Sequence, residues 1–363
     1  MILRLVLENL KHRPVRTALS TVAIGLQVTM VLTLVGVSRG MLDESARRQR
    51  GTHADILVRD GGSAIIGFST DMKAKYLPFI QKFPGVELAT GTLVQPVGMV
   101  DGITGIDYPT FNFMSGGFKF IDGGPFQGPD DLIIDDIYAR SKNLKAGSTL
   151  KGMLNRDWRI AGVVESGKLS RVFVQLHVLQ DLMSKSDKLT AIYVKASDPK
   201  NIDALLAQIR EKMPENKALT MEELASLISV NNIPMLKTFI RVVIGLGVFI
   251  GFLVVFLSMY TAVLERTREI GILKSLGASP GYILSILLAE TAMLAVIGSM
   301  LGVLFTYGTQ WIMNTFVPDM VQVTTPDWWP IAAGIALSGS LIGAVYPGLK
   351  AARQDAVEAL AYD

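Results

Sequence analysis

Few residues of this chain could carry out covalent chemistry by themselves. The sequence contains no cysteine, which excludes thiolate metal sites, disulfides and thiol nucleophiles. Its three histidines, His12, His53 and His177, are far apart, and neither a His-Glu-x-x-His nor a Gly-x-Ser-x-Gly motif occurs. An enzyme is therefore the weakest functional interpretation, and we predict that the chain is not catalytic.

One glycine-rich segment begins like a phosphate-binding loop. Residues 162–168 read Gly-Val-Val-Glu-Ser-Gly-Lys, but Leu169 follows where such a loop needs Ser or Thr to hold magnesium. The next residues, 171–174, have the pattern of a strand and do not begin the helix that the motif requires. We interpret the segment as a β-turn and predict no nucleotide site there.

The composition is that of an integral membrane protein. Half of the residues are hydrophobic, the mean hydropathy is +0.38, and 18% of residues are charged, against about 25% in a soluble domain. Four apolar blocks are each long enough to cross about 30 Å of hydrocarbon as a helix: residues 17–38, 238–264, 280–317 and 328–349. The first block is longer than the apolar core of a cleaved signal peptide, about 7–15 residues, so we interpret it as a retained span. A net charge of +3 without a basic tract gives no reason to expect nucleic-acid binding.

A charged segment, residues 265–279, separates the second apolar block from the third. It cannot lie in hydrocarbon, so we expect a short excursion into water between two spans. The segment has the pattern of an amphipathic helix, with Ile270, Leu273 and Leu276 on one face and Arg266, Glu269 and Lys274 on the rest of the surface. Gly277 is typical of a helix C-terminus, and Ser279-Pro280 of the beginning of the next helix. We call residues 265–279 the linker.

Residues 39–237 are hydrophilic and are predicted to form a stalk and a large extracytoplasmic α/β domain between the first and second of four transmembrane helices. Strands are expected near residues 54–58, 86–100, 132–134, 159–164, 171–176 and 191–195. Helices are expected at residues 71–83 and after Asp198-Pro199, where Ile202, Leu205, Leu206 and Ile209 share a face. Thr220 and Glu223 form a capping box for a further helix. The predicted domain thus has two strand–helix units flanking a β-rich insert.

The placement of lysine and arginine predicts the orientation in the membrane. Residues 1–16, interpreted as an amphipathic helix on the membrane surface, are basic, as are the linker and the tail 350–363. The loop 318–327 contains Asp319 and Asp327 but neither lysine nor arginine. Both termini and the linker are therefore expected in the cytoplasm. The arginines among residues 39–50 conflict with this, but large domains are translocated largely regardless of charge.

Glu290 is a carboxylate inside the third apolar block, roughly 15 Å from its beginning at Pro280 if the block is helical. A charge buried in a membrane is costly and marks a functional candidate. The alternative is a packing residue hydrogen-bonded to a neighbouring helix, for example to Gln27 or Thr261. Three spans also contain glycine pairs whose spacing permits close helix packing: Gly247/Gly251, Gly298/Gly302 and Gly339/Gly343.

The sequence from Val263 to Ser279 closely resembles the signature of the MacB/FtsX-like permeases of ABC transporters. Residues 9–17, 346–353 and 357–360, the order of the spans and the position of Glu290 agree with it, and residues 129–136 and 162–165 are similar to the MacB outer domain. The resemblance implies a plasma-membrane homodimer that contacts lipid and works with a cytoplasmic ATP-binding cassette ATPase. ATP and magnesium would bind to the ATPase, and no cofactor is expected on this chain. The residues that the resemblance places at the ATPase are Glu265, Arg266, Arg268, Glu269, Ile270, Gly271, Leu273, Lys274, Leu276 and Gly277.

MacB carries its ATPase on the same chain, and no such domain is visible here, so we expect the ATPase on a separate polypeptide. Closure of the ATPase on ATP would be passed through the spans to the outer domain. The leading interpretation is export of a substrate taken up outside the membrane, with a periplasmic adaptor and an outer-membrane duct as further partners. The alternative is FtsX-like regulation of cell-wall enzymes without cargo, and the large outer domain favours export. No residue pattern indicates the substrate.

Overall fold

The computed structural model describes residues 8, 14–63, 70–97, 101–227, 234–318 and 320–354. The chain divides into two compact units. The membrane unit comprises residues 1–39, 234–314 and 322–363, and the globular domain comprises residues 40–233 and 315–321. Most of the amphipathic helix predicted for residues 1–16 lies outside the described residues, which include only residues 8 and 14–16 of it. Asp319 and the tail motif at residues 357–360 also lie outside them.

The helices are numbered along the chain. They are α1 (Pro14–Arg50), α2 (Tyr76–Ile80), α3 (Tyr108–Met114), α4 (Asp136–Lys142), α5 (Leu176–Leu182), α6 (Ile202–Lys212), α7 (Met221–Leu227), α8 (Pro234–Glu265), α9 (Thr267–Ser275), α10 (Pro280–Phe316) and α11 (Trp329–Arg353). Short 3₁₀ turns precede α6 at Pro199–Asn201 and α11 at Pro326–Trp328.

The strands all belong to the globular domain. They are β1 (Ile56–Asp60), β2 (Met72–Lys73), β3 (Val86–Val97), β4 (Asp101–Ile106), β5 (Phe120–Gly123), β6 (Asp131–Asp135), β7 (Thr149–Met153), β8 (Arg156–Val164), β9 (Val172–Gln175), β10 (Lys188–Leu189), β11 (Ala191–Ala196) and β12 (Asn216–Thr220).

Four of the described helices are long and apolar enough to cross a membrane: α1, α8, α10 and, with its preceding turn, α11. This confirms the four predicted transmembrane helices with a β-rich α/β domain between the first two. Helix α1 is continuous from Pro14 to Arg50, and its residues after Arg39 belong to the globular domain. Helix α8 begins at Pro234, a position where the missing backbone N–H of proline costs nothing.

The membrane unit is packed through glycines at several helix contacts. A Cβ atom at Gly298 would lie 2.8 Å from Ile24 Cβ, and one at Gly302 would lie 2.6 Å from the backbone oxygen of Gly25. A Cβ at Gly247 would lie 2.5 Å from Met30 Cε. The remaining predicted glycines also face another helix: Gly251 faces Gln27, Gly339 faces Val248 and Gly343 faces Phe252. The predicted glycine pairs therefore lie where helices of this chain approach each other closely.

We expect Gly302→Ala to lower the free energy of unfolding by about 1–3 kcal/mol, because the added methyl group meets rigid backbone and forces α1 and α10 apart. Gly308→Ala is the matched control on the same helix, since its Cβ would have no atom within 4 Å. Thermal unfolding in detergent measures both. Equal stability of the two variants would contradict this account of the α1–α10 contact.

The globular domain is built on one ten-stranded sheet in the order β12-β1-β11-β3-β4-β9-β6-β8-β5, with β7 paired to β8. Most neighbours are antiparallel, while β4–β9 and β6–β8 are parallel. Buried Leu205, Leu206 and Ile209 of α6 pack on Ile56 and Val58 of β1, as the predicted helical face requires. A second core lies around Trp158 in β8.

The helix predicted for residues 71–83 is wrong in extent. Only α2 is helical there, because Met72–Lys73 forms β2 and pairs with β10. The capping box is present: Thr220 Oγ1 accepts a hydrogen bond from the Glu223 backbone N–H, and the Glu223 carboxylate accepts one from the Thr220 backbone N–H, both at 3.0 Å. Residues 162–164 end β8, and residues 165–171 connect it to β9 without an intervening helix, consistent with the predicted turn.

Candidate functional site

The linker contains one short helix, α9, with a defined beginning and end. Arg266 interrupts the helical path between α8 and α9, with φ −108° and ψ 15°. At the other end, Gly277 has φ +93°, its N–H donates to Lys274 O, and the Ala278 N–H donates to Leu273 O. This is the pair of hydrogen bonds of a Schellman motif, which requires a left-handed residue at the position of Gly277. Ser279 Oγ then accepts a hydrogen bond from the Tyr282 backbone N–H at 3.2 Å, capping α10.

The surface that α9 exposes differs from the predicted apolar face. Ile270 is buried and packs with Val263 and Ile283, and Leu273 is half-buried. The exposed apolar side chains are Ile272 at 45% and Leu276 at 79% exposure. Of the three residues on the predicted apolar face, Leu276 is exposed, whereas Ile270 and Leu273 are covered wholly or in part by their own chain. The physical reason is that an amphipathic pattern shows that one face is covered, but not whether this chain or a partner covers it.

The charged residues of the linker also divide into two groups. Glu265, Arg268 and Glu269 are exposed, whereas Arg266 is buried, so its predicted place on the surface is wrong. Lys274 is half-buried, and its Nζ donates a hydrogen bond to the backbone oxygen of Gln354, just after α11. We call the exposed residues Arg268, Glu269, Ile272 and Leu276 the outer face of α9. The opposite side of α9 is held by its own chain.

Behind the linker, Glu290 forms ion pairs with two arginines. Arg16 Nη2 lies 2.6 Å from Glu290 Oε1, and Arg266 Nη1 lies 3.0 Å from Glu290 Oε2. Glu290 has 0% exposure, and the Arg266 side chain is nearly as buried. We call Arg16, Glu290 and Arg266 the Arg–Glu–Arg cluster. Each carboxylate oxygen therefore accepts a charge-assisted hydrogen bond from a different arginine.

The partners suggested for Glu290 from the sequence, Gln27 and Thr261, are wrong. Thr261 Oγ1 donates to backbone oxygens of its own helix, and the Gln27 side chain lies against Gly251. Sequence reasoning missed Arg16 as a partner, although residues 1–16 and the linker are both basic segments beside spans. The rule that intramembrane charges pair with one another was the available signal.

A second buried group of charges lies in the globular domain. Asp135 has 1% exposure at the end of β6, and its Oδ1 accepts a hydrogen bond from the Tyr138 backbone N–H at 2.7 Å, which caps α4. Burial raises the pKa of Asp135 to about 7, although that hydrogen bond and the nearby charges of Arg171 and Arg48 lower it. Asp135 therefore changes charge near neutral pH. No local sequence pattern indicates this, because the burial of Asp135 arises from segments that are distant in the chain.

The described part of the chain offers no group of three or more His, Asp or Glu side chains placed to hold a metal ion. In the segment that begins like a phosphate-binding loop, Lys168 Nζ donates to the backbone oxygen of Ser115, and the Leu169 N–H donates to Arg48 O. Both groups therefore make contacts within the protein.

Two family models together match most of the chain. Residues 17–212, more than half of it, match the MacB-like periplasmic core domain, and residues 241–356 match the FtsX-like permease C-terminal family. The second match includes the linker and Glu290.

Individual relatives are more distant. Over 218 residues the chain is 29% identical to the uncharacterized ABC transporter permease YknZ of Bacillus subtilis (strain 168), covering 56% of this chain and 52% of the relative. It is 24% identical to the macrolide export ATP-binding/permease protein MacB of Sodalis glossinidius (strain morsitans), over 99% of this chain and 60% of the relative. The chain thus spans little more than half the length of these relatives. The crystal structure of the periplasmic region of MacB from Actinobacillus actinomycetemcomitans matches 49% of this chain and 94% of its own, with 15% identity and a TM-score of 0.38.

Proposed function

Because the chain belongs to the FtsX-like permeases of ABC transporters that carry a MacB-like periplasmic core domain, we propose that it couples an ATP-binding cassette ATPase in the cytoplasm to movement of its globular domain. The linker and both termini would lie on the cytoplasmic side and the globular domain outside. The chain would act as a homodimer, with ATP and magnesium bound by the ATPase. The movement would drive export from the cell envelope, with a periplasmic adaptor and an outer-membrane duct as further partners.

The observation that carries this proposal is the outer face of α9. A short helix between two candidate spans exposes Ile272 and Leu276 together with Arg268 and Glu269. Large exposed apolar side chains beside charges are typical of a protein interaction site. Its other side is fixed by buried Ile270 and by Lys274, so a force applied to the outer face is passed to the spans. The shape and orientation of this helix would be supported by Glu265, Gly271, Leu273 and Gly277. Arg266 is buried and would act through its ion pair with Glu290.

We expect the double variant Ile272→Glu/Leu276→Glu to weaken binding of the ATPase at least tenfold. Two charges would replace apolar contacts that together contribute about 1.4 kcal/mol or more to the binding free energy, and this energy corresponds to a tenfold change in affinity. Ile121→Glu is the control, because the exposure of Ile121, 63%, lies between those of Ile272 and Leu276, but Ile121 belongs to the globular domain. Binding is measured by co-purification of the tagged chain with the ATPase from native membranes, and by ATPase stimulation after reconstitution. Wild-type binding of the double variant would refute the docking assignment.

The same purification distinguishes export from regulation. A co-purified periplasmic adaptor supports export. A peptidoglycan hydrolase without an adaptor supports the alternative, FtsX-like control of cell-wall enzymes without cargo.

A further inference from the structure

The Arg–Glu–Arg cluster joins three separate elements of the membrane unit. Arg16 is in the first turn of α1, Arg266 is the residue between α8 and α9, and Glu290 is in α10. Because one carboxylate oxygen bonds to Arg16 and the other to Arg266, Glu290 is the shared partner of α1 and the linker. Because Glu290 and Arg266 are buried, water does not readily replace either arginine at the carboxylate, so each ion pair is strong and directional.

The linker side of the cluster is tied directly to α9. Arg266 is the residue that immediately precedes α9, and its backbone oxygen accepts the hydrogen bond from the Ile270 N–H at 2.9 Å. A rotation of α9 therefore moves the Arg266 backbone, and with it the guanidinium that holds Glu290 Oε2.

The other side of the cluster lies at the beginning of an unusually long helix. Helix α1 has 37 residues, which at 1.5 Å per residue is about 55 Å. It continues without a break into residues of the globular domain. The first turn, with Arg16, therefore belongs to the same continuous helix as residues 40–50.

We propose that the Arg–Glu–Arg cluster is the joint through which the position of the linker is transmitted to α1, with Arg16 as the positioning residue on the α1 side. This inference rests on the proposed function of α9 as the contact with the ATPase. It adds that the ATPase signal leaves the linker through Glu290 and reaches the globular domain by way of Arg16.

Arg16→Met is the decisive variant, because it removes the α1 side of the joint and leaves Glu290 paired with Arg266. The full chain is reconstituted in nanodiscs with its ATPase, and hydrogen exchange of the globular domain is compared with and without ATP and vanadate. We expect unchanged affinity for the ATPase but loss of the ATP-dependent change in hydrogen exchange. Arg16→Lys, which keeps a positive charge opposite Glu290, should restore most of the change.

Arg39→Met is the matched control. Arg39 is on the same helix and forms an ion pair with Asp327 at 2.8 Å, but both side chains are partly exposed. Exposed ion pairs contribute little to the stability of a structure, so the Arg39→Met variant should respond to ATP as the wild type does. If Arg16→Met does not accumulate as folded protein, Arg16→Gln takes its place with the same expected loss.

The possible results separate the two proposals. Absence of any ATP-dependent change in the wild type would overturn the proposed function itself. A wild-type response in Arg16→Met would overturn the joint while leaving the proposed function intact. Loss of ATPase binding together with the response, or equal loss in Arg39→Met, would also overturn the joint, because it would show a general structural effect.

Discussion

Glu290→Leu should lower the free energy of unfolding by about 3–5 kcal/mol, the cost typical of removing one partner from a buried ion pair. The carboxylate is fully buried between Arg16 and Arg266, so its loss removes the negative charge that both arginines share and leaves two positive charges close together in a buried site. Thermal unfolding of the full chain in detergent measures this effect. Glu269→Leu is the control, because Glu269 is an exposed carboxylate on α9 and should change stability by less than about 0.5 kcal/mol.

A triple variant separates charge imbalance from lost packing. Adding Arg16→Met and Arg266→Met to Glu290→Leu replaces the whole cluster by apolar side chains, which often restores or exceeds the original stability. We expect recovery of most of the lost stability. If Glu290→Leu unfolds at the wild-type temperature, or the triple variant is no more stable than the single one, the cluster is not a buried network of charges.

The stability of the globular domain should fall as the pH rises from about 4 to about 7 because of Asp135. Its pKa is raised from 3.8 to about 7, mainly by burial, so within this range the folded state binds a proton that the unfolded state has lost. Each pKa unit corresponds to about 1.4 kcal/mol, so the effect of this group can reach several kcal/mol. Asp135→Asn should remove this part of the pH dependence and make the domain more stable at pH 7 to 8. Asparagine can still accept the hydrogen bond from Tyr138 that caps α4.

Hydrogen exchange of residues 131–142 in the full chain, measured at pH values from 5 to 8 with correction for intrinsic rates, provides the test. Asp131→Asn is the control with the opposite sign. Burial raises the pKa of Asp131, but hydrogen bonds from Arg159 and from the backbone N–H groups of Gln127 and Gly128 lower it overall. The ionised Asp131 carboxylate therefore stabilises the folded state fully above about pH 4, and this contribution is lost only at lower pH. A steep pH dependence between 4 and 7 that persists in Asp135→Asn would contradict the assignment to this group.

Much of the architecture follows from the sequence because local physics determines it. A bilayer of about 30 Å requires roughly 20 consecutive apolar residues in a helix, and four such blocks became the four long helices. Gly277, Ser279-Pro280 and the Thr220–Glu223 box ended or began helices where predicted, since each acts on backbone groups within a few residues. The face of α6 was also predictable, because helical periodicity alone puts Leu205, Leu206 and Ile209 on one side.

The tertiary structure decided what those local elements meet. Arg16 and Glu290 are 274 residues apart, and no local pattern relates them. Likewise, periodicity showed that α9 has an apolar face, but only the packed structure shows that Ile270 is covered by this chain while Ile272 and Leu276 are exposed. The single ten-stranded sheet and the burial of Asp135 arise in the same way. Sequence determines which groups need a partner, whereas the identity of that partner depends on contacts between residues that are distant in the chain.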